Sequence, residues 1–326
     1  MPSDLAANLM KAVRGTEDRP AARPQIEWDL DRVVAELHES REVTHNVRHG
    51  GIARRLPSRT VVAEIVNGLS SCLFPTHLGQ PDLHKKRSVD AFVATTLSRT
   101  LTDLVEQIRR SLPLAASEAE PALEAAVRVS HDIAHELAAQ LPAIRAQLVA
   151  DLRAGFEGDP SALSMPEVLL GYPGMVAIIC YRLARPLHLL GAPLIARLMT
   201  LVAHSRTGID IHPGAEIGPS FFIDHGTGVV IGETAIIGKH VRLSQAVTLS
   251  GRRFPDGGRG LAVKGVARHP IIEDDVVIHA GATLLGRITI GRGSVIGGNV
   301  CLTRSVPPGS HITQPRMMGL ETARDR

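Results

Sequence analysis

Aliphatic residues recur every six positions along the C-terminal part of the chain. The positions that share this register, in three runs, are Ile211, Ile217, Ile223; Ile231, Ile237, Leu243, Leu249; and Ile272, Ile278, Leu284, Ile290, Ile296, Leu302. An α-helix repeats every 3.6 residues and a strand every two, so neither produces a period of six. The period is typical of the hexapeptide β-helix, in which three short strands form a coil of about 18 residues and successive coils stack their aliphatic residues.

Upstream of residue 206 the apolar positions follow the period of an α-helix instead. One side of a long amphipathic helix is marked by Leu123, Ala126, Val127, Ser130, Ile133 and Ala134. The same pattern continues past Pro142, and shorter helical patterns occur around residues 30–37, 58–69 and 88–112. The predicted fold class is therefore α+β, with an all-helical N-terminal domain followed by a left-handed parallel β-helix.

The change of period divides the chain into four predicted segments. Residues 1–25 carry prolines among charges and indicate a disordered lead-in. Residues 26–205 form the helical domain, residues 206–310 form the β-helix, and residues 311–326 form a tail. Within the β-helix, residues 250–271 lack the repeat and are rich in Gly and Arg. They predict a loop extruded from a rigid scaffold, where binding residues concentrate.

Composition narrows the class of protein. A chain of 326 residues is long enough for two sizeable cores, and an aromatic content of 3% suits a narrow β-helix interior. The formal net charge of +3 gives little support to nucleic-acid binding. Three cysteines are too few for a disulfide framework, which favours a reducing, cytoplasmic compartment.

The sequence predicts neither a signal peptide nor a membrane span. Asp4 and Lys11 interrupt any apolar stretch at the N-terminus. The most apolar segment, residues 175–203, is broken by Arg182, Arg185 and Arg197. It predicts a pair of buried or interfacial helices.

Three polar clusters lie within the β-helix: Asp210-Ile211-His212-Pro213, Asp224-His225-Gly226-Thr227-Gly228, and Arg268-His269-Pro270. Asp210 lies 15 residues before His225, so coils of about 18 residues place the two on neighbouring coils, where their side chains could touch. An imidazole held by a carboxylate is a common general base. The sequence Asp-x-His-Pro can form a turn at a corner without any catalytic function, so no role is assigned to His212.

These motifs, together with Gly208-Ile209 before the first, Gly232-Glu233-Thr234 and Val247-Thr248-Leu249, resemble those of the bacterial serine acetyltransferases. The resemblance is strong over residues 155–310, and the long N-terminal region and extruded loop are similar to a longer bacterial subgroup. It implies transfer of an acetyl group from acetyl-CoA, a co-substrate, to the hydroxyl of L-serine in cysteine biosynthesis, without a metal.

The resemblance also implies roles for individual residues. His225 matches the general base that takes the serine hydroxyl proton, and Asp210 matches the carboxylate that orients it. Asp224 matches a carboxylate that binds the serine ammonium, and Asp159 matches a second one that reaches serine from a neighbouring subunit. Arg268 and His269 match the residues that bind the substrate carboxylate. A zwitterionic substrate needs both signs of charge, and an arginine fork suits a carboxylate.

The co-substrate site is implied in less detail. Gly251 and Ala280 match positions whose backbone lines the CoA arm, and an N–H group near Gly251 is our candidate donor to the reaction's oxyanion. The family's usual Gly-Gly-Thr is Ser250-Gly251-Arg252 here. The CoA phosphates would suit Arg252, Arg253, Lys264 or Arg304, although solvated surface charges explain these residues equally well.

Other functions remain open from the residues alone. The acceptor could be homoserine or a sugar, or the protein could be an inactive trimeric scaffold. A zinc-dependent carbonic anhydrase also uses this prism, but its His-x4-His pairing is absent from the sequence. His131 and His135 stand one helical turn apart, a spacing that can bind zinc, yet a solvated helix face explains them better.

The resemblance implies an assembly as well. Sites in such enzymes lie between adjacent prisms, so we expect a homotrimer, or a hexamer if helical domains join two trimers. Many relatives dock a terminal isoleucine into O-acetylserine sulfhydrylase. This sequence ends in Glu321-Thr322-Ala323-Arg324-Asp325-Arg326, so that complex is doubtful here. Inhibition by cysteine at the serine site is also implied.

Overall fold

The computed structural model describes residues 29–45, 55–82, 88–112, 120–252 and 265–314. The chain divides into two units, Met1–Ala53 and Arg54–Arg326. In the first unit, helix α1 (Leu30–Glu39) begins after Asp29, whose side chain accepts a hydrogen bond from the Arg32 N–H, and a π-helical turn (Ser40–Thr44) follows it. The predicted lead-in lies outside the described residues.

The second unit begins with helices, as the sequence predicted. They are α2 (Arg59–Leu73), α3 (Pro75–Leu78), α4 (Ser88–Ser111), α5 (Glu120–Gly158), α6 (Met165–Gly171), α7 (Pro173–Leu189) and α8 (Pro193–Thr207). Serine side chains cap α2 and α6, because Ser58 and Ser164 each accept a hydrogen bond from an N–H group of the first turn. Helix α8 ends at Gly208, which adopts the left-handed conformation that a C-terminal cap favours.

Fourteen short strands follow in the described part of the chain, all paired in parallel. They are β1 (Asp210–Ile211), β2 (Glu216–Ile217), β3 (Phe222–Ile223), β4 (Val230–Ile231), β5 (Ile236–Ile237), β6 (Arg242–Leu243), β7 (Thr248–Ser250), β8 (Ile271–Ile272), β9 (Val277–Ile278), β10 (Thr283–Leu285), β11 (Thr289–Ile290), β12 (Val295–Ile296), β13 (Cys301–Leu302) and β14 (His311–Ile312). Strand β14 lies past residue 310, where the sequence placed the end of the β-helix.

The strands form the three faces of a prism. The first sheet has the order β1-β4-β7-β10-β13, the second β2-β5-β8-β11, and the third β3-β6-β9-β12-β14. The six-residue register forms the interior, since Ile211, Ile231, Leu249 and Leu284 stack in one row with at most 2% of their surface exposed. The predicted fold, a helical region followed by a left-handed parallel β-helix, is confirmed.

Helix α7 packs directly on the first coil of the prism. A Cβ atom on Gly174 would lie 2.2 Å from the carbonyl oxygen of Ile223, so only glycine permits this approach. The Tyr181 hydroxyl donates to the Ala215 carbonyl at 2.7 Å. The helices are thereby held against the coil that carries the second polar cluster.

The length and hydropathy of the helices can be compared with those of a membrane-spanning helix. Among the described residues, no single helix is long and apolar enough to cross a membrane, and α6 and α7 meet that test only as a pair bent by 78°.

Candidate active site

One group of polar residues gathers where the third sheet leads into the first. We call Asp159, Tyr172, Asp224, His225 and Arg242 the acidic corner. Asp224 and His225 follow β3 directly, and the imidazole Nε2 lies 3.9 Å from Asp224 Oδ1. His225 has a left-handed backbone conformation (φ 57°), uncommon outside glycine, and its side chain is 77% exposed. The ring therefore faces outward beside a carboxylate.

Arg242 joins the two carboxylate-bearing segments of this corner. Its Nη2 lies 2.6 Å from Asp224 Oδ2, and its Nη1 donates to the Gly158 carbonyl at the end of α5. The guanidinium also lies over the Phe222 ring, 5.3 Å from the centroid. Asp224 thus has one oxygen on Arg242 and the other directed toward His225.

Asp159 enters the acidic corner from the helical region. The Tyr172 hydroxyl donates to its Oδ2 at 2.6 Å, and the Ser161 N–H donates to its Oδ1 at 2.8 Å. These hydrogen bonds, the one from Tyr172 foremost, lower the pKa of Asp159, and the same bond raises the pKa of Tyr172 to about 12. Asp159 is therefore a stable anion at neutral pH. Within the chain, Asp159 follows Gly158, whose carbonyl accepts a hydrogen bond from Arg242. That Asp159 reaches serine from a neighbouring subunit stays a prediction.

Asp210 and His225 were expected on neighbouring coils, but they lie at the start and near the end of the same coil, and their side chains do not meet in the described structure. The Asp210 carboxylate pairs with Arg197 at 3.1 Å, and neither a hydrogen bond nor an ion pair joins Asp210 to His225. The spacing estimate also assumed the wrong length for this coil. Ile211 pairs with Ile231, so the coil contains 20 residues, because the corner holding His225 is two residues longer than a regular one. The 18-residue estimate therefore brought the two residues too close together.

A second group of residues forms a cleft where the first sheet leads into the second. We call this cleft of about 430 Å³ the basic cleft. Its lining includes Arg197, Asp210, His212, Glu233, Gly251, Arg252, Arg268 and His269. Arg268 Nη2 lies 3.8 Å from Glu233 Oε2, and a Cβ atom on Gly251 would lie 3.0 Å from Arg268 Cδ. The predicted anion-binding pair and the start of the extruded loop are therefore neighbours.

His269 is the buried member of the basic cleft, with 5% of its surface exposed. Burial lowers its pKa, and the Arg268 charge acts in the same direction. A Cβ atom on Gly232 would lie 2.1 Å from His269 Nε2, so the ring rests against bare backbone. At neutral pH this imidazole is uncharged, and Arg268 supplies the positive charge of the pair.

The predicted CoA residues divide between the two edges of the first sheet. At one edge, backbone hydrogen bonds connect the corners of successive coils: the Ala246 N–H donates to the Thr227 carbonyl, the Gly281 N–H to Gln245, and the Asn299 N–H to Ala280. Ala280 therefore stacks above the corner of His225, whereas Gly251 and Arg252 line the basic cleft. Arg304 is exposed beyond β13. Arg253 and Lys264 lie outside the described residues.

The described residues contain no group of three His, Cys, Asp or Glu side chains that could hold a metal ion. His131 and His135 line a groove between α4 and α5 together with Glu106. Glu106 already accepts hydrogen bonds from Arg109 and Arg110, which lower its pKa to about 2.

Tyr172 and Arg242 of the acidic corner, and Thr234 beside the basic cleft, were not given a role from the sequence. Tyr172 and Arg242 lie outside every motif, so their residue types gave no signal. Thr234 belongs to the Gly-Glu-Thr motif that carried the resemblance, but its role emerges only from its contacts with His269. All three act on other side chains, which spacing along a chain does not reveal.

Known proteins resemble both the repeat and the whole chain. The family model for the bacterial transferase hexapeptide (six repeats) matches residues 269–304. The plasmid serine acetyltransferase of Synechococcus elongatus is 51% identical over 296 residues, which cover 89% of this chain and 92% of that protein.

Solved structures extend the comparison to the fold. Serine acetyltransferase 1 of Entamoeba histolytica in complex with L-cysteine matches with a TM-score of 0.67 and 30% identity, covering 87% of this chain and 96% of that chain. Serine acetyltransferase of Neisseria gonorrhoeae in complex with serine matches with a TM-score of 0.50 and 26% identity, covering 78% and 95%. The chain belongs to the serine acetyltransferase family of hexapeptide-repeat acyltransferases.

Proposed function

We propose that this protein transfers the acetyl group of acetyl-CoA to the hydroxyl of L-serine, giving O-acetylserine for cysteine biosynthesis. The observation that carries the proposal is the acidic corner, where an exposed imidazole stands 3.9 Å from the Asp224 carboxylate, which Arg242 connects to the end of α5 next to Asp159. The basic cleft adds a guanidinium and a neutral imidazole for a substrate carboxylate. Membership of the serine acetyltransferase family supports the same assignment.

The proposed reaction is a direct transfer. His225 removes the hydroxyl proton of serine while the oxygen attacks the thioester carbon of acetyl-CoA. The carbon–sulfur bond then breaks, the acetyl group stays on serine, and the sulfur leaves as the CoA thiol with the proton that His225 returns. Asp224 and Asp159 bind the ammonium, and Arg268 and His269 bind the carboxylate. The Gly251 N–H is the proposed donor to the oxyanion.

We propose Asp210 as the carboxylate that orients His225, as the family resemblance implies. Its side chain points into the basic cleft, paired with Arg197. Among the described residues, Asp224 is the carboxylate that lies within 4 Å of His225. We propose Gly251 and Ala280 as backbone contacts of the CoA arm, and Arg252, Arg253, Lys264 and Arg304 as contacts of its phosphates.

Substitution of His225 tests the general base. His225→Ala should lower kcat by about 10²–10⁴-fold, the usual contribution of a positioned base. His240→Ala is the matched control, because His240 is also an exposed corner histidine with positive φ, 3.3 Å from the Asp275 carboxylate. Normal thiol release by His225→Ala would overturn the assignment.

An acceptor screen tests the substrate. Thiol release from acetyl-CoA is followed with L-serine, D-serine, homoserine and threonine, and L-serine should give the highest kcat/KM. Activity on homoserine without activity on L-serine would assign the protein to a different acceptor. Release with none of them would favour a sugar acceptor or an inactive scaffold.

We propose that the protein works as a homotrimer, or as a hexamer built from two trimers. The acidic corner and the basic cleft occupy opposite edges of the first sheet, and packing of adjacent prisms would bring the corner of one against the cleft of the next. Light scattering at micromolar concentration should give a trimeric or hexameric mass, and a monomeric mass would exclude the assembly.

Mixed trimers test whether the site is shared. Chains carrying His225→Ala and chains carrying His269→Ala are each expected to be nearly inactive. Co-assembled one to one, they should regain roughly a quarter of wild-type activity. At about one interface in four, an intact His225 corner faces an intact His269 cleft. No recovery would place each site within one chain.

We further propose that L-cysteine competes with L-serine at this site, since the Entamoeba histolytica relative was solved with L-cysteine. A cytoplasmic location is proposed as well, supported by the three unpaired cysteines Cys72, Cys180 and Cys301.

A further inference from the structure

The hydroxyl of Thr234 binds the backbone of the Arg268-His269 segment. Thr234 lies at the corner between β4 and β5, one coil below that segment. Its Oγ1 accepts the Arg268 N–H at 2.9 Å and the His269 N–H at 3.1 Å. A single side chain therefore satisfies two consecutive backbone donors and sets where both side chains begin.

The same residue determines the protonation of the His269 ring. The Thr234 backbone N–H lies 3.0 Å from His269 Nδ1, and the Thr234 hydroxyl lies 2.8 Å from it. A backbone N–H can only donate, so Nδ1 must present a lone pair. The proton of the neutral ring is then on Nε2. The hydroxyl is also fully used, because it accepts twice and donates its own proton to Nδ1.

The surroundings of the ring agree with this state. His269 is buried, and the cations near it, Arg268 and Arg287, disfavour a second proton, with Glu233 the opposing anion. The Arg287 side chain donates to the carbonyls of both His269 and Thr234, which closes the corner from the outer side. The Nε2 edge faces Gly232, which has no side chain.

We propose that Thr234 is a positioning residue of the substrate-carboxylate site, which holds His269 as an uncharged Nε2–H donor and places Arg268 beside it. The inference rests on the proposed function, in which these two residues bind the serine carboxylate. The carboxylate then meets one fixed charge, from Arg268, and one neutral donor, from His269. Neither needs to change protonation when the substrate binds.

Substitution of Thr234 separates positioning from folding. Thr234→Val removes the hydroxyl with little change of shape and should raise the KM for L-serine roughly ten- to hundredfold. The KM for acetyl-CoA and kcat should stay near wild type, and Thr234→Ser should restore the KM for L-serine. Thr289→Val, on β11 of the same prism, is the control for loss of a threonine hydroxyl.

Amide side chains that replace one nitrogen of the imidazole test which nitrogen of His269 carries the proton. A glutamine amide can place its N–H where Nε2 lies, whereas an asparagine amide reaches only the Nδ1 position. His269→Gln should therefore keep a lower KM for L-serine than His269→Asn. Equal KM values in the two variants, or a higher value in His269→Gln, would overturn the tautomer.

A spectroscopic measurement is independent of activity. The ¹⁵N imidazole signals of His269, identified by their loss in His269→Gln, should show a protonated Nε2 and an unprotonated Nδ1 at pH 7.5. A charged ring or a protonated Nδ1 would overturn the inference. If wild-type protein acetylated L-serine while Thr234→Val kept the wild-type KM, only the role of Thr234 would fail. Failure of the wild type to acetylate L-serine would instead defeat the proposed function.

Discussion

Three histidines near the candidate site differ in what surrounds the ring. His225 is open to solvent beside Asp224, and His269 is buried and held at Nδ1 by Thr234. His212 packs edge-on against His188, with ring centroids 5.9 Å apart, and its Nδ1 accepts a hydrogen bond from the Gly214 N–H. The same residue type thus provides a candidate base, a neutral donor and a packing element, and only the environment distinguishes them.

His212 should make the stability of the protein depend on pH. Burial, aided by the Arg197 charge, lowers its pKa from 6.5 to about 4. Between these values the unfolded chain binds a proton that the folded ring excludes, so the free energy of unfolding falls as the pH falls from 6.5 to 4. The slope contributed by one such group is at most about 1.4 kcal/mol per pH unit.

Urea unfolding at several pH values measures this slope. His212→Asn keeps an acceptor for the Gly214 N–H and should flatten the slope between pH 6.5 and 4.5. His279→Asn changes an exposed histidine of the same prism and should leave the slope as in wild type. An unchanged slope in His212→Asn would mean that other groups account for the acid sensitivity.

At the scale of elements, the contact between α7 and β3 depends on one missing side chain. Gly174→Ala would push a methyl group into the Ile223 carbonyl, and we expect a loss of about 1–3 kcal/mol in the free energy of unfolding. Gly171→Ala is the control, because a Cβ atom there would have no heavy atom within 4 Å. Equal urea midpoints for the two variants would contradict the close packing.

The end of α5 meets β6 through Arg242, which holds both Asp224 and the Gly158 carbonyl. Arg242→Gln cannot maintain both contacts, so the two carboxylates lose their fixed spacing. We expect kcat/KM for L-serine to fall roughly 10–100-fold, as small displacements at a reacting centre do. Arg292→Gln breaks an ion pair with Asp274 elsewhere on the prism and should leave kcat/KM unchanged. Wild-type kcat/KM in Arg242→Gln would show that Arg242 does not organise the corner.

At the scale of the whole molecule, a buried ion pair joins the helices to the prism. Arg182 contacts both oxygens of Asp151, at 2.9 and 3.0 Å, and also donates to the carbonyls of Ile217 and Gly218. Asp151 accepts the Phe221 N–H at 2.9 Å. Both side chains are at most 4% exposed. These contacts connect α5 and α7 with the first coil.

Arg182→Met would leave Asp151 buried without its partner, and we expect it to cost about 3–5 kcal/mol of unfolding free energy. The double variant Arg182→Met/Asp151→Leu should be less destabilised than the single one, because the unpaired charge is gone. Arg128→Met, which breaks an exposed pair with Glu124, should cost less than about 1 kcal/mol. A double variant worse than Arg182→Met would mean that Asp151 stabilises the junction through its hydrogen bonds to the backbone N–H groups of Phe221 and Ser220.

The sequence predicted which residues belong to the candidate site better than it predicted which of them lie next to each other. Asp159, Asp224, His225, Arg268 and His269 were expected together around serine. Within one chain the first three belong to the acidic corner, whereas Arg268 and His269 lie in the basic cleft with Gly251, which was expected beside Ala280 on the CoA arm. The pair of Asp210 with His225 was expected from their spacing and from the family resemblance. It depended on the length of one coil, which two additional corner residues change without altering the repeat.

By itself the sequence determined the β-helix, because few other folds bury an aliphatic residue at every sixth position. It also indicated the chemistry, because the acidic, histidine and arginine residues of each motif lie close together along the chain. Tertiary structure decided which groups meet. Arg242 reaches Gly158 across 84 positions of the chain, and Thr234 reaches His269 across 35. Contacts over such separations depend on how helices dock on the prism and how coils stack, and local periodicity carries no record of either.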